Sequence, residues 1–161
     1  MKDNWVTISL VVLTALIMLM IFGSRWYSAK YAHSKSLGFE QGQLIECGKS
    51  PNCVSSQTAQ SSKRIAPINA GDTPELTWLM LRDVVEAMPQ ALLINENETY
   101  RHYQFTTPLM GFIDDVELLF VCTEQLIQVK SASRVGESDL GANRKRVESL
   151  RDALNKALSG K

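Results

Sequence analysis

The stretch Asp115-Val116-Glu117-Leu118-Leu119-Phe120-Val121-Cys122-Thr123-Glu124-Gln125-Leu126-Ile127-Gln128-Val129-Lys130-Ser131-Ala132-Ser133 decides the fold. Two runs rich in β-branched and large apolar residues flank the polar turn Thr123-Glu124-Gln125, which is the pattern of a β-hairpin. Val116, Leu118 and Phe120 alternate with Asp115, Glu117 and Leu119, so one face of the first arm is core. Cys122 continues the apolar alternation and reads as a small buried hydrophobe.

Working upstream, residues 91–94 and 99–106 form a second hairpin around Asn95-Glu96-Asn97-Glu98, with Tyr100, Tyr103 and Phe105 raising its strand propensity. Before it comes a helix. Thr73 can cap it, Pro74 fits its first position and Glu75 suits the positive end of its dipole. Leu76, Leu79, Met80, Val84 and Ala87 make its apolar stripe, and Pro89 ends it. Residues 65–68 are a short first strand, which Pro67 confines to an edge. Downstream, a helix from about residue 141 to 158 turns Val147, Leu150, Leu154 and Leu158 to the core and Arg146, Arg151, Asp152 and Lys156 to water. The order β-α-β-β-β-β-α is α+β. It predicts a curved antiparallel sheet of about five strands with both helices on its concave face, similar to TATA-binding-protein-like or helix-grip arrangements.

The 161 residues carry 17 basic and 17 acidic side chains, but the balance is uneven. Residues 1–35 hold Lys2, Arg25, Lys30 and Lys35 against Asp3, which leaves the rest at −3. That sign lacks the footprint of a nucleic-acid binder, and the run Arg144-Lys145-Arg146 reads as a solvated helix start. Between Asp3 and Arg25 there is no charge at all. Residues 5–23 span roughly 28 Å as a helix, close to the hydrocarbon thickness of a bilayer. Trp5 at one end and Trp26-Tyr27 at the other suit the two interfaces. A cleaved signal peptide fits less well: the n-region offers only Lys2, and Phe22-Gly23-Ser24-Arg25 is a poor cleavage site. The chain therefore divides into a tail (1–4), a membrane anchor (5–23), a juxtamembrane linker (24–43) and an α+β domain (44–161).

Cys47-Gly48-Lys49-Ser50-Pro51-Asn52-Cys53-Val54-Ser55-Ser56 is polar and turn-rich. Gly48 and Pro51 let the two cysteines approach, so a disulfide is geometrically reasonable, and it requires an oxidising compartment. Free thiols and a metal or redox site are the alternatives. The C-x5-C spacing is not that of a zinc ribbon or redox dithiol, and His33 and His102 are the only histidines. No metal and no cofactor is expected. The compartment is contested, because Arg25, Lys30 and Lys35 after the span favour a cytoplasmic domain by the positive-inside rule.

This cysteine segment, with Gly111-Phe112-Ile113-Asp114-Asp115-Val116-Glu117, Ser131-Ala132-Ser133-Arg134-Val135-Gly136 and Asp139-Leu140-Gly141-Ala142-Asn143-Arg144, resembles the widespread domain-of-unknown-function family 1499. The blocks follow in family order over about residues 44–158. The resemblance implies no reaction. It does imply export, since similar proteins often carry export signals or lie in a thylakoid lumen. Together with the cysteine pair it favours a domain on the exported side.

If the first strand pairs with the last, these blocks converge on one rim. The rim would gather Asn52, Ser55, Asp114, Asp115, Glu117, Arg134, Asp139, Asn143 and Arg144, with Gly111, Gly136 and Gly141 giving its loops backbone freedom. Such a cluster can scaffold loops, bind a polar ligand or supply an acid and a base. Pairing of Asp115 with Arg134 or Arg144, and capping of the final helix by Ser138 or Asp139, would make it scaffold. No G-x-S-x-G elbow or phosphate-cradling loop occurs, and His102 reads as a packed or exposed histidine. Three readings follow: a membrane-tethered, envelope-facing binding or interaction domain without catalysis; an enzyme or polar-ligand binder using the Asp115, Arg134, Asp139 and Arg144 rim; and an apolar-ligand or lipid carrier using Phe105, Leu119 and Val121. The sequence names neither the protein nor the small-molecule partner.

Overall fold

A computed structural model describes residues 2–33 and 36–160; Lys35, part of the charge count above, lies outside them. The apolar N-terminal run is helix α1, Lys2–Tyr31, with no part of its most apolar window buried. It is long and apolar enough to cross a membrane. The helix does not stop at Gly23. Residues 24–31, read above as the start of a linker, continue it for two further turns.

After α1 come β1 (Phe39–Glu40) and β2 (Gln43–Leu44), joined through Gln41 and Gly42 at φ 49° and 78°. Positive φ at both central residues is what a tight two-residue hairpin needs. Next are β3 (Cys53–Ser55), a 3₁₀ turn at Ser61–Lys63, β4 (Ile68–Asn69) and α2 (Pro74–Glu86). The two anticipated hairpins follow as β5 (Ala91–Glu96) with β6 (Tyr100–Thr106), and β7 (Ile113–Val121) with β8 (Leu126–Ser133). Helix α3 (Ala142–Ser159) completes the chain's order.

The main sheet runs β3-β8-β7-β6-β5, antiparallel throughout, with β4 pairing the other end of β8. It is thus five strands wide, as expected, but its first column is split. Cys53–Ser55 of the cysteine segment forms one piece, and Ile68–Asn69 the other, where a single strand over 65–68 was anticipated. Between the two pieces the chain leaves the sheet for the 3₁₀ turn and rejoins it directly after Pro67.

Both helices cover one face. Trp78, Leu81 and Val85 of α2 and Val147, Leu150 and Leu154 of α3 pack on Tyr103, Phe105, Val116, Leu118, Phe120, Ile127 and Val129. The stripe anticipated for α2 is out of phase. Leu76 and Leu79 are exposed, Leu79 to 61%, while Trp78, Leu81 and Val85 are buried. Trp78 stacks on Phe120 at 5.6 Å and donates its indole N–H to Glu98 O, so the larger residue set the phase. Cys122 is also corrected. It lies exposed in the turn, where its thiol meets Glu75 Oε1 at 3.1 Å. The Glu75 bond raises its pKa.

Candidate functional site

A strand turns successive side chains to opposite faces, and β7 applies that rule to its acids. Asp114 turns toward the helices and Asp115 away from them. The single rim expected from sequence is therefore two polar clusters, one on each side of the sheet.

On the helix side, Asp114 pairs with Arg146 of α3. Arg146 Nη1 also donates to Asn143 Oδ1 at 2.7 Å, and its guanidinium lies over Phe105. Arg146 does not face water as expected. Asn143 is fully buried: Ser131 Oγ donates to its Oδ1 at 2.6 Å, while its Nδ2 donates to Asn52 O and Ser133 Oγ. Asn52 in turn donates to Gly136 O at 2.6 Å and accepts from the Ser133 N–H at 2.9 Å. The cysteine segment, the end of β8 and the start of α3 are thus buckled together through two asparagines. Asp139 acts as a cap, accepting the N–H groups of Asn143 (2.8 Å) and Gly141 (3.0 Å). Burial alone would raise its carboxyl, but these backbone donors hold it below its ordinary value.

On the opposite side, Asp115 accepts a two-pronged bond from Arg134 (2.9 and 2.8 Å) and one from His102 Nε2 at 2.7 Å. An ionised carboxylate only accepts, so Nε2 carries the proton. Burial pushes the Asp115 carboxyl up, but the His102 and Arg134 bonds outweigh it and hold it low. Arg134 also reaches Ala32 O, just past α1.

Two residues along β7, Glu117 forms a second buried ion pair, with Lys130 Nζ 2.9 Å from its Oε2. Its Oε1 accepts from Tyr100 Oη (2.7 Å) and the Gly38 N–H (2.6 Å). Lys130 donates to Ser36 O at 2.7 Å. Burial, then the Glu117 charge, raises the Tyr100 hydroxyl, which stays protonated. The segment around β1 and β2 closes over this face: Leu44 packs with Tyr100 and Leu119, and the Phe39 ring lies 5.3 Å from Tyr100.

Of the residues singled out from sequence, Asn52, Asp114, Asp139 and Asn143 belong to the helix-side cluster, and Asp115, Arg134 and Glu117 to the opposite face. Ser55 is buried in β3, where its Oγ accepts the Gln57 N–H. Arg144 joins neither cluster; it donates to Arg64 O and Ser62 O and fastens α3 to the 3₁₀ turn. His102, Lys130, Tyr100 and Arg146 were not anticipated. Lys130 had a signal in its alternation with Gln128, but register hid it. A turn centred on Glu124 sets Glu117 against Ser131, whereas the four-residue connection 122–125 pairs it with Lys130.

The Cys47–Cys53 disulfide is present, with Cα atoms 5.9 Å apart and both residues buried. Lys63 is buried against the loop it closes, donating to the carbonyls of Gly48 and Lys49. Beside the loop lies a cleft of about 390 Å³, lined by Lys49, Ser50, Asn52, Asp115, Lys130 and Arg134. A second, more apolar cleft of about 590 Å³ separates α1 from the loops that follow β6 and β8. No group of three or more metal-ligating side chains occurs among the described residues. The carrier reading loses its stated basis. Phe105 lies in the helix-side core, and Leu119 is packed under Leu44 on the other face.

The polar cleft offers a mixed-charge wall in which Asp115 has both oxygens engaged and is held ionised. That is suited to binding through hydrogen bonds and charge. It is poorly suited to moving a proton near neutral pH, where a general acid or base works best with a pKa close to the operating pH.

The family described as "Protein of unknown function (DUF1499)" matches residues 43–154, and the chain belongs to it. No curated protein and no solved structure matches the chain.

Proposed function

We propose that this chain is a single-pass membrane protein whose α+β domain stands on the exported, oxidising side and serves as a non-catalytic binding or interaction domain. The observation that carries the reading is the buried Cys47–Cys53 disulfide, in a chain that also has an apolar helix whose span the domain leaves uncovered. Disulfides persist in the periplasm, the secretory lumen and comparable compartments, and are rare where thiols are kept reduced. Binding is favoured over catalysis because the buried carboxylates are all engaged: Asp115 pairs with Arg134 and accepts a hydrogen bond from His102, Glu117 pairs with Lys130, and Asp114 with Arg146.

The test is the redox state of the pair in intact cells. Free thiols are blocked, disulfides reduced, and the released thiols mass-tagged in a Cys122→Ser background. A two-tag shift seen only after reduction supports the exported domain. Both thiols blocked at the outset sinks it and favours the side indicated by Arg25 and Lys30.

A second reading rests on the 390 Å³ cleft: a small polar ligand held by Lys49, Ser50 and Arg134, or turned over there as a substrate. Lys49 and Ser50 stand on the cysteine loop, outside both buried clusters. Lys49→Ala with Ser50→Ala should leave the melting temperature of the free protein unchanged and abolish a ligand-dependent rise. A rise that survives both substitutions places the ligand elsewhere.

A further inference from the structure

We infer that the end of the domain carrying residues 107–112 and 133–142 is a lipid-facing surface: Leu109 and Leu140 enter the bilayer interface beside α1, and the 590 Å³ cleft between helix and loops takes a phospholipid acyl chain. This rests on the reading of α1 as a membrane span.

The placement follows from where α1 leaves the domain. Residues 4–20 are exposed along the whole helix, and Ser28 is the first residue the domain buries, at 1% exposure. Between these points the helix runs against the 107–112 loop. Ser24 Oγ donates to Met110 O at 3.2 Å, and Arg25 Nη1 donates to Pro108 O at 3.1 Å. A Cβ on Gly111 would lie 3.1 Å from Arg25 Cγ, close enough that Arg25 would have to shift by a few tenths of an ångström, and the φ of +70° there favours glycine in its own right. The last turns of the apolar span are therefore level with the loops. Trp26 and Tyr27, both exposed there, are the residue types that favour the lipid–water boundary.

Three features of the loops point to lipid rather than water. Residues 105–113 carry no charge, and of the charges in 133–142 Arg134 is held by Asp115, Asp139 by the start of α3, and Glu137 accepts from Ser50. Leu109 is 59% exposed, and Leu140 is 96% exposed at φ +51°. A leucine in the left-handed region, with its whole side chain in solvent, gains nothing from the protein for either cost. Burial in an apolar medium supplies the missing compensation. The cleft is lined by Gly23, Ser24 and Tyr27 of α1 and by Phe112, Val135 and Leu140 of the loops. Asp114 and Asp139 also line it, but their carboxylates are engaged, Asp114 by Arg146 and Asp139 by the backbone at the start of α3, and the wall against α1 is mainly apolar.

The experiment uses the full-length chain in phosphatidylcholine–phosphatidylglycerol vesicles. An environment-sensitive fluorophore is placed on Leu140→Cys or Leu109→Cys in a Cys122→Ser background. Leu13→Cys reports the span, and native Cys122, at the far end of the sheet, is the solvent control. The expected result is blue-shifted emission and loss of fluorescence to spin-labelled lipid at 109, 140 and 13, with none at 122. Quenching at 13 while 109 and 140 answer only to aqueous iodide overturns the inference and leaves the anchor standing. A blue shift at 140 without lipid quenching assigns the surface to a protein or a second copy, and also overturns it. No quenching at 13 removes the anchor and the inference together.

Discussion

The two faces of the sheet are both buried, yet they are built from opposite chemistry. Toward α2 and α3, Val116, Leu118 and Phe120 enter a largely apolar core. Toward the segment of β1 and β2, the intervening residues Asp115 and Glu117 are as deeply buried, each in a charged cluster. An antiparallel sheet with alternating polar residues ordinarily leaves that face wet. Here the N-terminal segment has closed over it, and a charge that loses water must be paired. The apolar face tolerates imperfect filling at a graded cost, whereas the polar face fails abruptly when one partner is lost.

Adjacent residues on β7 give the sharpest comparison. Glu117→Ala leaves Lys130 unpaired and orphans the Tyr100 hydroxyl and the Gly38 N–H, with an expected cost of about 3–5 kcal/mol in urea titrations of the detergent-solubilised chain. Leu118→Ala, one residue on and facing the helices, is expected to cost about 2–5 kcal/mol as a cavity. The two differ in kind. Only Glu117→Ala should also open residues 36–44 to protease under native conditions. Equal protease resistance in both variants would break the contrast.

Next in size is the covalent tie. Replacing both Cys47 and Cys53 with serine is expected to cost about 2 kcal/mol, the loop-closure value for so short a ring. The pH dependence is smaller and has two signs. Asp115 and Asp139 are held below the ordinary carboxylate value, so the stability they contribute is present above that value and lost as pH falls through their folded pKa values. Tyr103 is pushed up by burial to about 12, so its contribution is intact below the free tyrosine value of about 10 and is lost as pH rises from there toward 12. Asp115→Asn should flatten the acid limb in a plot of melting temperature against pH, leaving the alkaline limb unchanged. The least effect is expected on the surface of α2. Leu79→Ala should change stability by less than about 0.5 kcal/mol, while Leu81→Ala, fully buried two residues away, should behave as a core truncation.

That last pair marks where the sequence was ambiguous. Both hairpins, the core stripe of α3, the antiparallel order and the sheet's width were legible from period and turn residues. The phase of α2 was not, because Leu76, Leu79 and Met80 compete with Trp78, Leu81 and Val85, and only packing on Phe120 decides between them. Convergence of the family blocks was legible too, and Asn52, Ser133, Gly136 and Asn143 do meet. Their division by the sheet was implicit in Asp114 and Asp115 being neighbours on a strand. Lys130 as the partner of Glu117 needed the hairpin register, which one residue in the turn changes. The cover over the polar face was invisible, since residues 36–44 show no apolar period and act through backbone groups such as Ser36 O and the Gly38 N–H.

Cys122, misread from its place in the alternation, provides the most direct test of the central claim that the domain stands outside the membrane. It is a free, exposed thiol on the α+β domain. Its bond to Glu75 raises its pKa, so labelling is best run on the alkaline side of neutrality. Sealed membranes with the exported face outward are treated with a small impermeant maleimide and compared with permeabilised ones. The account predicts full labelling of Cys122 before permeabilisation. Labelling that appears only after the membrane is opened would contradict it and return the domain to the cytoplasm.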